Sequence, residues 1–259
     1  MIPALLIGRE GSLGFPGKNA APLMGRPLMT YPLLASLNSK YVDEVYVSTD
    51  SAKVKEIAAK HGAAVIDRPE YLCTKEALGE DVFVHGYKHI KDVLKKDIEI
   101  ILLLHCNGIC VLPSQIDHAV ETLRKYPDYD SAVTVAEFNM YSPLRARSIG
   151  DDGLLHPFIP FENYPKNMKI NCNRDAQGSV YFADVCLSAV RPRCLDDLEK
   201  GVLPQRWMGQ KIYPIIQSGS FDIDFEWQMP LLEHWLKGNG FTASNLPYEV
   251  IHGKSKTKR

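Results

Sequence analysis

The chain has 259 residues, 45% hydrophobic and 24% charged, with a net charge of −1. That length supports one large α/β domain carrying at most a small insertion, and the near-neutral balance leaves no global basic field to draw nucleic acid. No apolar run approaches a membrane span, no charged segment leads into a cleavable apolar stretch, and the six cysteines form no C-x-x-C pair, so a soluble, cytoplasmic, thiol-reduced protein is expected.

The first apolar run, Ile2 to Ile7, predicts a buried parallel strand. Leu28 to Leu37 has helical spacing, with Pro32 in its first turn or at a kink. Glu44 to Ser48 reads as a strand, Ser51 to His61 as an amphipathic helix stopped by Gly62, and Ala63 to Ile66 as a third strand. Gly79 to Leu94 predicts one long helix, Glu99 to Leu104 the most apolar strand, Pro113 to Tyr126 another helix, and Ser131 to Ala136 a further strand. From Asn139 to about Gln177 the alternation stops; four prolines and the turn Asp151-Asp152-Gly153 suggest β-hairpins or an extended arm. Strands return at Val180 to Phe182 and Ile212 to Ile216, and a last helix spans about Phe225 to Lys237. The basic C-terminal run, Lys254 to Arg259, reads as a solvated end and is given no function.

Alternating strands and helices predict a parallel sheet with right-handed crossovers, whose ligands lie beyond the carboxyl ends of the strands. Arg9, Asp50 and Arg68 fall at such ends. The first strand breaks into Gly8-Arg9-Glu10-Gly11-Ser12-Leu13-Gly14-Phe15-Pro16-Gly17-Lys18-Asn19, with a glycine at every third position. Glycines let backbone N–H groups approach a phosphate, Arg9 and Lys18 supply full charge, and Ser12 adds a hydroxyl. The spacing fits neither the Walker loop, since Ser12 and Asn19 stand where its glycine and Ser/Thr belong, nor the dinucleotide fingerprint. On these residues alone the loop is a nucleotide site of another class or a flexible turn.

A second constellation is Ser220-Phe221-Asp222-Ile223-Asp224. Carboxylates at i and i+2 on an extended segment point to one side, so both can reach one hard cation such as Mg²⁺, which takes one or two carboxylates plus substrate phosphates. The plain alternative is that Asp224 caps the following helix. Cys106 and Cys110 beside His105 read as buried thiols rather than a metal site. Arg145 and Arg147 alternate on an expected strand, which puts both guanidiniums on one face, suited to a carboxylate ligand, to solvent or to a salt bridge at an interface.

The loop, with Pro22-Leu23-Met24-Gly25-Arg26-Pro27-Leu28, Val45 to Asp50 and Arg68 to Leu72 following in order, resembles the acylneuraminate cytidylyltransferases, the CMP-sialic acid synthetase family. The resemblance implies a Rossmann-like three-layer α/β fold of the nucleotide-diphospho-sugar transferase type, residues 1–138 and 179–259, with a β-rich dimerisation arm at 139–178. It implies that Gly8, Arg9, Gly11, Ser12 and Lys18 hold a triphosphate and that Asn19 and Arg68 help with base and ribose. Asp222 and Asp224 would be the Mg²⁺ ligands, and Arg9, Ser12, Lys18 and Asp224 the catalytic group. The implied substrates are CTP and a 3-deoxy-2-ketonulosonic acid, with GTP as the alternative nucleotide, in a homodimer. Nucleic acid and membrane partners are not implied.

Two departures from the family pattern matter. Leu13 stands where the family usually has lysine, and His105-Cys106-Asn107-Gly108-Ile109-Cys110-Val111 replaces a Q-P-T-S-P-L-R segment used for the sugar. His105 and Asn107 are therefore the expected substitutes, joined by Arg145, Arg147, Asp175 and Gln177, and the sugar is expected to differ from plain N-acetylneuraminic acid. Two readings of other classes stay open: a kinase or NTP hydrolase, and a catalytically silent nucleotide-binding subunit.

Overall fold

A computed structural model describes residues 1–168, 170–174 and 178–248. In chain order the elements are β1 (Pro3–Ile7), β2 (Pro22–Leu23), β3 (Arg26–Pro27), α1 (Thr30–Asn38), β4 (Glu44–Thr49), α2 (Ala52–Lys60), β5 (Ala64–Asp67), α3 (Gly79–Lys88), β6 (Ile101–His105), α4 (Pro113–Lys125), β7 (Ser131–Glu137), β8 (Arg147–Ile149), β9 (Leu155–Pro157), β10 (Tyr181–Val190), α5 (Pro192–Asp196), β11 (Ile212–Gln217) and α6 (Met229–Gly238). Seven of the strands form one sheet in the order β11-β7-β10-β6-β1-β4-β5. In it β10 runs antiparallel to both its neighbours, and the other pairings are parallel.

Strand periodicity of two explains the three layers. Ala4 and Leu6 of β1, with Leu102 and Leu104 of β6, face one core with Leu33, Val54, Ile116 and Leu232 of α1, α2, α4 and α6. Leu5, Ile7, Ile101 and Leu103 face the other, with Phe83 of α3 and Leu195 of α5. Because both faces are covered, these strands are apolar throughout rather than alternating. Gly86 admits α3 to the sheet: a Cβ there would lie 2.6 Å from Leu5 Cδ2.

The chain runs from β1 outward to β4 and β5, then returns to place β6 on the other side of β1. That reversal opens a crevice at the carboxyl ends of β1 and β6. Asp130 ties the sheet's far half together, accepting from Arg193 Nε of α5 at 2.8 Å and from the Gln210 and Lys211 N–H groups leading into β11 at 2.8 and 2.9 Å.

Several expectations are corrected. The helix from Gly79 does not run uniformly to Leu94: α3 gives way to a wider π turn over His89–Val93. The last helix begins at Met229 after a single tight turn at Glu226–Gln228, since Pro230 suits a first helical turn. The strand expected at Val180 to Phe182 is the start of the ten-residue β10, whose register breaks between Ala183 and Ser188. Arg145 and Arg147 do not share a strand face. Pro143–Arg145 is a tight turn capped by the Ser142 hydroxyl, and only Arg147 enters β8. Asp151-Asp152-Gly153 does make the turn of a hairpin, closed by a Gly153 N–H to Gly150 carbonyl bond of 2.9 Å, and β8 and β9 pair with each other outside the main sheet.

Burial pushes Asp130 up, but the two backbone N–H groups and Arg193 outweigh it and hold the carboxyl below its ordinary value. A depressed folded value stabilises the fold above the unfolded pKa near 3.8 and loses that contribution as pH falls through the lower folded value. Asp130→Asn is expected to cost about 1–2 kcal/mol at pH 7. Urea titrations should find that deficit shrinking as pH drops below 4; a deficit independent of pH would contradict the assignment.

Candidate functional site

The crevice is a cleft of about 420 Å³, within the usual range for small-molecule sites. Gly8, Arg9, Ser12, Lys18 and Asn19 line it from the loop after β1, Arg68 from the end of β5, His105 and Asn107 from the end of β6, and Asp222 and Asp224 from the segment after β11. Ten of the sequence-predicted residues thus meet in one place. Gly11 is exposed and does not line the cleft, and Arg145 and Arg147 line a separate hollow with Phe161 and Cys172. Arg145 donates to the Cys172 carbonyl at 3.4 Å, and Arg147 lies over the Phe161 ring. Asp175 and Gln177 lie outside the described residues.

The loop is shaped by two close approaches. A Cβ on Gly8 would fall 2.8 Å from Cys106 Sγ and 2.9 Å from Asn19 Nδ2, and one on Gly14 only 2.5 Å from the Asp224 carbonyl oxygen. The second contact joins loop and acidic segment, and the Lys18 ammonium joins them again, donating to Asp224 Oδ1 and to the Ile223 carbonyl, each at 2.7 Å. Lys18 is nearly buried while Asp224 is 60% exposed, so the carboxylate keeps a face toward the cleft. Asn107 braces the segment from below: its Nδ2 donates to Asp222 Oδ2 at 3.1 Å and to the Ile223 carbonyl at 2.8 Å, and its carbonyl accepts from the Ile223 N–H. Ile223 is fully buried between the two acids. The period of two therefore sends the isoleucine into the core and both carboxylates to the cleft. Asp224 does not cap a helix. The Gln228 side chain caps instead, accepting from the Asp224 and Phe225 N–H groups at 2.7 and 2.8 Å.

Across the cleft, Arg9 donates to the Thr74 carbonyl at 2.7 Å, and Asp50 accepts the Glu10 N–H at 3.0 Å. Arg68 reaches the Ser48 carbonyl at 2.7 Å and leaves its buried Nε without a partner; Asn19 donates to the Arg9 carbonyl and leaves its buried Oδ1 likewise. One donor and one acceptor therefore stand desolvated, which is costly.

His105 Nδ1 lies 3.1 Å from the Val185 carbonyl. A carbonyl only accepts, so Nδ1 carries the proton and the lone pair of the neutral ring is on Nε2. Burial pushes the imidazole below its ordinary value, opposed mainly by the Asp222 charge. Burial pushes Asp222 up, opposed by His105 and helped by Asp224. Asp222 and Asp224 are chemically suited to a divalent ion, being two oxygen-donor carboxylates on one side of the segment, and Lys18 contacts only Oδ1 of Asp224. Among the described residues no group of three or more His, Cys, Asp or Glu is arranged for a metal, so other ligands would come from substrate and water.

The sequence reading missed the apolar part of the lining, Leu72, Ala77, Val82 and Phe225, and the backbone at Gly79. Leu13 is 81% exposed at the mouth, where it brings no charge to the cleft.

The cytidylyltransferase family model matches residues 3–149, more than half of the chain. The chain therefore belongs to the cytidylyltransferase family. It is 32% identical to a CMP-N,N'-diacetyllegionaminic acid synthase of Legionella pneumophila, over 70% of this chain and 77% of that one. It is 26% identical to N-acylneuraminate cytidylyltransferase A of Danio rerio, over 96% of this chain and 54% of the relative. The chain spans about half the length, or less, of several curated relatives that it matches. A solved CMP:2-keto-3-deoxy-manno-octonic acid synthetase complexed with CTP has the same fold, with a TM-score of 0.65 at 17% identity, covering 92% of this chain and 98% of that one. No helix among the described residues is long and apolar enough to cross a membrane.

Gly14→Ala forces the loop away from the Asp224 carbonyl. It is expected to cost about 1–3 kcal/mol of stability. Urea unfolding checks it; wild-type stability would show that the loop does not need this seat.

Proposed function

We propose that the chain is a cytidylyltransferase that joins CMP from CTP to a 3-deoxy-2-ketonulosonic acid and releases pyrophosphate. The observation that carries this reading is the meeting of Lys18 with the Asp222–Asp224 pair at the carboxyl ends of β1 and β6, 206 residues apart in the chain. Membership of the cytidylyltransferase family and the CMP-forming relatives support the choice of cytidine over guanosine.

Asn19 and Arg68, which both line the cleft, would meet the base and ribose. Arg9, Ser12 and Lys18, with backbone N–H groups of the loop, would hold the triphosphate. Asp222 and Asp224 would hold Mg²⁺, which when bound neutralises triphosphate charge. The anomeric hydroxyl attacks the α-phosphorus and gives up its proton to solvent, the bond to the β-phosphate oxygen breaks, and pyrophosphate leaves with the electron pair. Most of the catalysis is positioning and charge neutralisation, which a prebuilt cluster of opposite charges supplies. His105 Nε2 is oriented to accept from a sugar hydroxyl, and Asn107 keeps the acids in place.

The arm, residues 139–178, is proposed to pair two copies. Ile149, Leu154, Leu155 and Phe158 are each more than 60% exposed on or beside the β8–β9 hairpin, an apolar surface that a second copy would cover. Arg145 and Arg147 would then be offered to the partner's cleft rather than to their own.

Pyrophosphate release is to be measured with Mg²⁺, pairing CTP or GTP with neuraminic, legionaminic, pseudaminic and Kdo-type acids. Release is expected only with CTP plus a nonulosonic acid, and Asp224→Ala should lower it about 10–100-fold or more. Sedimentation should find a dimer that Leu155→Asp converts to monomers. If CTP binds and no pair gives release, the silent-subunit reading replaces this one.

A further inference from the structure

Asp184 is 4% exposed, in the middle of β10, and plays no part in the cleft wall itself. Its carboxylate accepts four hydrogen bonds. Oδ1 takes the Thr134 hydroxyl at 2.5 Å and the Cys186 N–H at 3.0 Å; Oδ2 takes Gln217 Nε2 at 2.6 Å and the Ser220 hydroxyl at 2.5 Å. All four donors are neutral groups, so this acid is not half of a structural ion pair. Charge-assisted bonds of this kind are the strong ones, and burial makes each bond count for more.

The partners lie on β7, β10 and β11 and on the segment after β11, and two lead to the cleft. Ser220 is fully buried and opens the segment that carries Asp222 and Asp224 two and four residues later. On the other side, Asp184 sits at the register break of β10 and bonds the N–H of Cys186, across Val185. Val185 has φ of 51°, a left-handed conformation that is strained for a β-branched residue, and its carbonyl is the one that receives His105 Nδ1–H. Gln217 adds a third tether, since the Nε2 that meets Asp184 also donates to the Cys110 carbonyl at 2.9 Å, beyond β6.

We infer that Asp184 is a positioning residue that fixes the acidic segment through Ser220 and the ring of His105 through the strained Val185 carbonyl. It thereby sets the spacing between the metal-ligand carboxylates and the imidazole. The inference rests on the proposed metal-dependent transferase reading, because it assigns Asp184 to the support of that reading's carboxylates. Groups that orient metal ligands from behind alter metal affinity by about 10–100-fold when removed.

The test is Mn²⁺ binding to the full chain in the presence of CTP, followed by water-proton relaxation, for wild type, Asp184→Asn, Ser220→Ala and Thr134→Val. Binding of metal-free CTP in EDTA is measured beside it. Asp184→Asn and Ser220→Ala should each weaken Mn²⁺ binding by about 10–100-fold while metal-free CTP affinity stays close to wild type. The Asp184→Asn, Ser220→Ala double variant should be no worse than Asp184→Asn alone, since Ser220 acts only through its bond to Asp184. Thr134→Val, on the oxygen that does not reach Ser220, should lower the melting temperature with Mn²⁺ affinity retained. If Asp184→Asn does not fold, Ser220→Ala decides. Wild-type Mn²⁺ affinity in Ser220→Ala overturns the inference, as does equal loss of Mn²⁺ and metal-free CTP, or an absence of Mn²⁺ uptake by wild type. Failure of the transferase reading itself would instead appear as no pyrophosphate release by wild type, whatever the Mn²⁺ series gives.

Discussion

The Lys18 ammonium, bound to Asp224 and to the Ile223 carbonyl, is the contact on which the cleft depends. It closes a loop of some two hundred residues and joins the two segments of the chain that carry opposite charge. Because Lys18 is largely buried and Asp224 is not, the pair is no ordinary surface salt bridge, whose worth is slight. The buried ammonium needs its acceptors, while the carboxylate remains available to a ligand. Gly14 makes the same junction sterically, since only a residue without Cβ lets the loop lie against the Asp224 carbonyl.

The acidic segment has a simple internal logic. Ile223, wholly buried, anchors it to the core, and Asn107 holds its backbone in both directions. The two aspartates are left on the open side by alternation alone. Their environments then differ: burial raises Asp222, whereas Asp224 is exposed and tied to Lys18. On the proposed reading the loop brings positive charge to the phosphates and the segment brings negative charge to a cation, each fixed before the substrate arrives. Leu13 brings no charge to the mouth of the cleft, so Lys18 and Arg9 are the loop's cations in its lining.

Most of the fold was legible in the sequence because buried parallel strands are continuous apolar runs. Pro3–Ile7 and Ile101–His105 stand out for that reason, and their helices follow the period of 3.6. The π turn at His89–Val93 was not legible, since its residues keep an apolar spacing that an α-helix would also show. Arg145 was misplaced because Ser142-Pro143 starts a capped turn, which outweighs the alternation with Arg147. At the cleft, charged and glycine residues could be found by chemistry and by family pattern. Leu72, Val82 and Phe225 could not, because an apolar side chain lining a site looks the same in sequence as one lining a core. Asp184 was visible as an acid inside an apolar strand, but three of its four partners come from positions 134, 217 and 220, which no local pattern connects to it.

The central claim is that Lys18 and the two aspartates receive a metal-bound triphosphate between them. A crystal structure with CTP and Mn²⁺, read by the anomalous signal of manganese, tests it most directly. The account predicts an anomalous peak at coordination distance, about 2.0–2.3 Å, from oxygens of both Asp222 and Asp224, with the Lys18 ammonium donating to a phosphate oxygen as well. Nucleotide bound in the cleft with manganese away from both aspartates, or with Lys18 still closed on Asp224 and no phosphate near it, would contradict the account.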